Sequence, residues 1–314
     1  MKTVDTDLLI NSIISLKREK NAVILAHYYQ PHINYKIADI VGDSLELSRK
    51  AININADRII FAGVHFMAEM AKVLNYDKKV LLPNLNAKCE MAEMVSPNDV
   101  RELRNKYPSI PVVAYVNTSA AVKAEADICC TSRNAIDIVS SLKSDKIIFI
   151  PDENMAKFVR LKTGKLLKFP KGYCYVHKEI TPEIIKLKKS LYPNAVVLAH
   201  PECKLDVLNL ADYITSTSGM IEYINESNEI EFIIATEDGL IDELKEKYPN
   251  KKFYSTANVC RGMKEITLND IKKCLENDIY EINVDEEIAL KAKDTITKML
   301  DISFKNKQLT NSFS

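Results

Sequence analysis

Three of the seven cysteines in this chain, Cys89, Cys174 and Cys260, stand 85 and then 86 residues apart. Each follows an apolar run in loop-like sequence, "PNLNAKCEMAEM", "FPKGYCYVH" and "TANVCRGMKEITL". Loops at the carboxyl ends of parallel strands are where ligands and catalytic groups collect. Three thiolates could hold zinc, but structural zinc usually draws on tight C-x-x-C pairs, and the chain has none. Iron-sulfur clusters accept widely spaced cysteines and normally take four, so three leave one iron open to act as a Lewis acid on a hydroxyl or carboxylate. The plainer alternative is three buried apolar thiols. Cys129 and Cys130 are adjacent in a strand-like run, point to opposite faces and read as core. Cys274 reads as a helix position, and Cys203 in "HPEC" lies out of period.

Polar side chains follow the same logic. His27 and Tyr29 end the run "AVILAHYY", Tyr115 and Asn117 end "PVVAYVN", and His200 and Glu202 follow "AVVLAH". A lone strand-end histidine is usually structural, but three equivalent strand ends carrying polar groups point to a shared site. Tyr and His both donate and accept, which suits enolisation and proton transfer; Glu202 becomes the general acid or base if burial raises its pKa.

The elements that must position these groups are short β-branched runs, at 21–27, 58–64, 79–83, 111–117, 126–132, 146–152, 195–200, 211–218, 231–237 and 252–258. Near-continuous Val, Ile and Leu marks parallel strands buried on both faces. Between them, "SPNDVRELRNKY" and "TPEIIKLKKSLY" open with Ser or Thr beside Pro and carry helical periodicity. The fold class is therefore α/β. The runs fall into three groups, each with a strand beginning "AD" at Ala56, Ala126 or Ala211. A period near 85 predicts triplication: three similar three-layer αβα units with short parallel sheets around a pseudo-threefold axis, the active site at their junction. The predicted units are 1–88, 89–173 and 174–261, with helices over 262–314 packing back on the first.

Lys plus Arg and Asp plus Glu both number 43, so there is no electrostatic footprint for nucleic acid or an anionic membrane. No run approaches a membrane span, and the first apolar stretch is broken by charges, unlike a signal peptide. The expected location is cytoplasmic, where an odd set of cysteines serves as core, ligands or nucleophiles rather than disulfides. The tail is polar beyond Phe304 and is expected to fray. "TGK" at 163–165 lacks the glycine-rich loop of a nucleotide site.

The segments "LAHYYQ", "IADIVGDSLELSRKA", "GVHFMAEMAK", "CEMAEM", "YVNTSAAVKAEADICCTSRNA", "GYCYVH", "HPEC", "ADYITSTSGM", "IIATEDGL" and "ANVCRGMK" occur in order along nearly the whole chain. In them the sequence resembles the quinolinate synthase family. That resemblance implies condensation of iminoaspartate with dihydroxyacetone phosphate to quinolinate, water and phosphate on the route to NAD. It also implies a 4Fe-4S cluster held by Cys89, Cys174 and Cys260. Ser132, Ser216 and Thr217, with His200, would hold phosphate or carboxylate groups, the alternative for the hydroxyls being helix caps. Ser44 in "GDSL" matches a substrate-contacting serine, whereas Asp43 can simply cap a helix. His177, three residues past Cys174, would reach bound substrate, and His27, Tyr29, His177 and Glu202 form the expected catalytic set. Tyr115 and Asn117 complete the expected substrate contacts. Arg261-Gly262 replaces the Pro-Asn of many relatives, and Thr215 replaces a small Gly. The implied partners are the two small molecules and an enzyme supplying iminoaspartate, with the chain a monomer or homodimer. Two other readings stay open: an aconitase-type hydro-lyase, which needs no phosphate pocket, and a cluster-binding sensor, which needs no polar cavity.

Overall fold

A computed structural model describes residues 2–311, with side chains over 5–304. The chain forms three parallel four-stranded sheets. The first contains β1 (Ala22–His27), β2 (Ile40–Gly42), β3 (Arg58–Ala62) and β4 (Lys79–Leu81). The second contains β5 (Val112–Tyr115), β6 (Ile128–Cys130), β7 (Lys146–Ile150) and β8 (Leu166–Lys168). The third contains β9 (Val196–Ala199), β10 (Tyr213–Ile214), β11 (Glu231–Ala235) and β12 (Lys252–Ser255). Each of the ten apolar runs holds a strand. Their central residues, such as Ile24, Ile59, Phe149 and Phe232, are wholly buried, as expected when helices cover both faces.

The order is the same in every sheet: β2-β1-β3-β4, β6-β5-β7-β8 and β10-β9-β11-β12. From its first strand the chain steps to one edge and then crosses to the other side, so a topological switch lies beside the carboxyl ends of β1, β5 and β9. A crevice opens at such a point because the following loops diverge. This is why His27, Tyr115 and His200 belong to a cavity rather than to a sheet interior.

One expectation about the repeat is corrected. The first-repeat counterpart of β6 and β10 is β2, preceded by Ala38-Asp39, and not the strand after Ala56. Asp39, Asp127 and Asp212 make the same contacts. Each carboxylate accepts the amide of a first-strand residue, Ile24 at 2.8 Å, Val112 at 2.7 Å and Val197 at 2.8 Å. Each Asp amide donates back to the carbonyl of that same residue. Each also pairs with a cation from the preceding helix: Lys17, Arg104 or Lys189. Exposed pairs contribute little, but losing the carboxylate takes its hydrogen bond from a part-buried strand amide. Asp127→Ala should therefore destabilise the protein by about 1–3 kcal/mol, seen as a lower urea midpoint; an unchanged midpoint would remove the clamp from the account.

Helices repeat as well. Ser96, Thr181 and Thr267 each cap a helix with their hydroxyls, the helices being Pro97–Lys106, Pro182–Leu191 and Leu268–Asn277. The last lies along the Lys2–Glu19 helix. The long C-terminal helix Glu286–Asn311 lies mainly against Ala120–Ala124 and β6 of the second sheet and also touches the helix His65–Leu74 beside the first. The tail expected to fray is helical as far as Asn311, and residues 312–314 lie outside the described set. Among the described residues no helix is long and apolar enough to cross a membrane.

Candidate active site

One cavity gathers the three periodic cysteines with His27, Tyr29, Ser44, Tyr115, Asn117, Ser132, His177, His200, Glu202 and Thr217. Groups from the strand ends of all three sheets therefore face the same space. Ser216 is the one predicted site residue outside this lining. Its hydroxyl accepts the amide of Gly219 at 3.2 Å and caps the helix Thr217–Glu226.

Cys89, Cys174 and Cys260 each take the non-helical capping position of a short helical turn, at Glu90–Glu93, Tyr175–Lys178 and Arg261–Lys264. Burial pushes all three thiols up, Cys89 to about 12, and the neighbouring cysteines add to the effect at Cys89 and Cys174. Backbone N–H groups of Met91 and Ala92 oppose it at Cys89 and that of Met263 at Cys260. A cluster of thiols that resists ionisation when free and faces a shared cavity suits a cationic centre, which supplies the missing positive charge. Cys203 is buried beside the carbonyl of Ala235, and Cys129, Cys130 and Cys274 are also buried. None of these four lines the cavity, so the available set is three. A mixed set also exists: the ligand atoms of Cys174, His177 and Glu202 lie within 4.8 Å of one another.

Two buried carboxylates overlooked in the sequence fix these loops. Asp152 accepts the amides of Asn154 and Met155 at 2.7 and 2.8 Å through Oδ1, and that of Cys174 at 3.3 Å through Oδ2. Glu237 accepts Cys260 N–H at 3.0 Å and Gly239 N–H at 2.7 Å, and pairs with Lys264 at 3.0 Å. Both stand two residues beyond the third strand of their repeat; the first repeat has Val64 there. Burial, reinforced by the nearby charge of Glu202, pushes Asp152 well above the usual carboxylate range. Gly262 is required where it stands, because a Cβ would overlap the carbonyl of Lys88, so the loops of Cys260 and Cys89 touch.

The polar groups are ordered around Glu202. Its Oε1 accepts the Tyr115 hydroxyl at 2.5 Å, and its Oε2 lies 2.6 Å from Nδ1 of His177, a charge contact off the line of a hydrogen bond. Burial pushes this carboxyl up, but His177, His200 and the Tyr115 hydroxyl outweigh it and hold the group down at about 2. The condition attached to Glu202, a carboxyl raised by burial, is not met: the group is lowered, and burial raises Asp152 instead. His27 and His200 are depressed to about 3, chiefly by burial, so both are neutral. Nδ1 of His27 accepts the Tyr29 amide at 3.1 Å, and Nδ1 of His200 accepts the Glu202 amide at 3.3 Å. Each ring is left with an Nε2–H donor. The ring of His200 stacks on that of His177, with centroids 4.5 Å apart.

Hydroxyls complete the lining. Tyr29 shares hydrogen bonds with Thr217 at 2.8 Å and Thr236 at 2.7 Å, and burial raises its phenol well above the ordinary value, so it stays protonated. Asp43 does cap its helix, Ser44–Ala51, and also accepts the hydroxyl of Ser218 from the third repeat. Ser132 sits beside the Tyr115 hydroxyl. Such hydroxyls and neutral imidazoles suit an anionic substrate.

Comparison with known proteins agrees with this chemistry. The family model described as "NadA: Quinolinate synthetase A protein" matches residues 11–301. Quinolinate synthase 2 of Methanosarcina acetivorans is 48% identical over 298 residues, covering 94% of this chain and 96% of that protein. The quinolinate synthases of Alkaliphilus metalliredigens and Pyrococcus furiosus are 47% and 49% identical, each covering 94% of this chain and 98% of their own.

Proposed function

The chain belongs to the quinolinate synthase family, and from that premise we propose that it condenses iminoaspartate with dihydroxyacetone phosphate to give quinolinate, water and inorganic phosphate in the biosynthesis of NAD. The observation that carries this reading is the union, in one cavity, of three periodic cysteines with neutral imidazoles, hydroxyls and an ionised carboxylate. Three αβα units, 1–88, 89–173 and 174–261, arranged about a pseudo-threefold axis, account for that convergence.

Cys89, Cys174 and Cys260 are the residues that would hold a 4Fe-4S cluster. When bound, it supplies one iron without a protein ligand, a Lewis acid toward substrate oxygen. The protein's own groups do the rest. Nε2–H of His27 and of His200, with the hydroxyls of Ser44, Ser132 and Thr217 and the amide of Asn117, bind and orient the carboxylates and phosphate. Glu202 accepts the Tyr115 hydroxyl and sets its negative charge beside Nδ1 of His177. Tyr115 Oη and Tyr29 Oη hold protons that can be delivered during enolisation and loss of water, while His177 serves as base. Burial of the set excludes bulk water from an imine that water would hydrolyse, which also makes an enzyme supplying iminoaspartate the expected partner.

The hydroxyls favour a phosphate-bearing substrate over the simple hydroxy acid of an aconitase-type hydro-lyase, and the polar cavity is superfluous in a sensor. Anaerobically reconstituted protein given iminoaspartate generated in situ and dihydroxyacetone phosphate should form quinolinate and phosphate in equal amounts. Phosphate release without quinolinate would refute the condensation.

A further inference from the structure

The residues directly after the three periodic cysteines are Glu90, Tyr175 and Arg261. None of them lines the cavity that the cysteines face. They meet instead on the solvent side of the cysteine turns, where the side chains of Arg261 and Glu90 are 74% and 52% exposed. Arg261 Nη2 lies 3.1 Å from Glu90 Oε1, and the guanidinium carbon stands 4.8 Å from the centre of the Tyr175 ring. The Arg261 amide donates to the Tyr175 hydroxyl at 2.6 Å. The three residues come from the loops that leave β4, β8 and β12, the last strands of three different sheets.

The same loops touch at two further points. The Tyr173 amide donates to Sδ of Met94 at 3.4 Å, which joins the second loop to the first. The carbonyl of Lys88 fills the space that a side chain at Gly262 would need, which joins the first loop to the third. All three sides of a triangle are therefore closed, and Arg261 belongs to two of them. A proline at this position, as in many relatives, has neither the amide nor the guanidinium for these contacts.

We propose that Glu90, Tyr175 and Arg261 form a clasp across the outer face of the cysteine site, which holds the three turns together and limits the access of small molecules from solvent. The clasp rests on the cluster proposed above, since a cluster is what it shields. Solvent exposure is one of the protein's levers on an iron-sulfur centre. An exposed ion pair and a cation–π contact are each of modest strength, so the clasp slows opening without forbidding it.

The test follows two rates: iron loss from anaerobically reconstituted protein to bipyridine, a neutral chelator, and alkylation of the cluster-free chain by iodoacetamide, read cysteine by cysteine through peptide mapping. Arg261→Ala should speed both by about tenfold, the factor expected for losing one exposed ion pair and one ring contact. The gain in alkylation should fall on Cys89, Cys174 and Cys260 and not on Cys129, Cys130, Cys203 or Cys274, which are buried outside the cavity lining. Glu90→Gln should have a smaller effect, and adding it to Arg261→Ala should change little, because the pair is already gone. Unaltered rates in Arg261→Ala, or a Glu90→Gln effect that multiplies in full on that of Arg261→Ala, would each overturn the proposal. So would a folded Arg261→Ala variant that takes up no cluster, which would place these residues in assembly. If the unaltered protein binds no cluster, that reading fails by itself and the alkylation rates decide the clasp.

Discussion

Cys174→Ser is expected to abolish the broad visible absorption of anaerobically reconstituted protein, and with it all quinolinate formation. Serine preserves the size of the side chain and leaves the amide on Asp152, so the loop should keep its place. What disappears is a thiolate, the donor that iron-sulfur clusters require. Cys89→Ser and Cys260→Ser should behave alike, since each stands at the start of an equivalent turn facing the same cavity. Cys203→Ser is the control: its thiol is buried outside the lining, and its replacement should leave the absorption intact. A full cluster in the Cys174 variant would overturn the ligand assignment.

Glu202→Gln should lower turnover by about 10²–10⁴-fold, the range of general acid-base assistance, while the cluster spectrum remains. Glutamine can still accept the Tyr115 hydroxyl, but it brings no charge to His177 and sets an amide against an imidazole nitrogen 2.6 Å away. The sign of the pH effect follows from the lowered pKa. Because Glu202 sits near 2 in the folded protein, below the 4.5 of a free glutamate, its contribution to stability is complete above about 4.5 and fades as the pH falls toward 2. It should therefore add no limb to the rate profile near neutrality. Near-normal turnover with an intact cluster would exclude Glu202 as the group that orders Tyr115 and His177 for acid-base work, and cluster loss would give it a part in assembly instead.

The strands were legible because parallel strands buried on both faces read as unbroken apolar runs, and the cysteine period was legible because it is a matter of counting. The edge strands β2 and β8 were not, since the apolar residues of Ile40–Gly42 and Leu166–Lys168 are hemmed in by Asp39 and Asp43 or by Lys165 and Lys168 and form no continuous apolar run. The repeat boundary in the first unit misled for a related reason. "AD" occurs at both Ala38 and Ala56, and only the reciprocal hydrogen bonds of Asp39 with Ile24 distinguish them. At the site, the residue types and strand-end positions were readable, whereas the protonation of Glu202 depends on His177 and Tyr115, brought in from other segments. Ser216 and Thr217 are neighbours with similar side chains; which one caps the helix and which faces the cavity is decided by the geometry of the helix start. Asp152, Glu237 and Thr236 went unnoticed because a carboxylate or hydroxyl after a strand resembles an ordinary cap.

The most direct test is to reconstitute the protein anaerobically to graded iron content and to measure iron, sulfide, quinolinate and phosphate on the same samples. Turnover should rise in proportion to cluster content and level off at about four irons per chain, the content of one 4Fe-4S cluster. A fully loaded protein that makes no quinolinate, or quinolinate formed by the iron-free chain, would contradict the assignment.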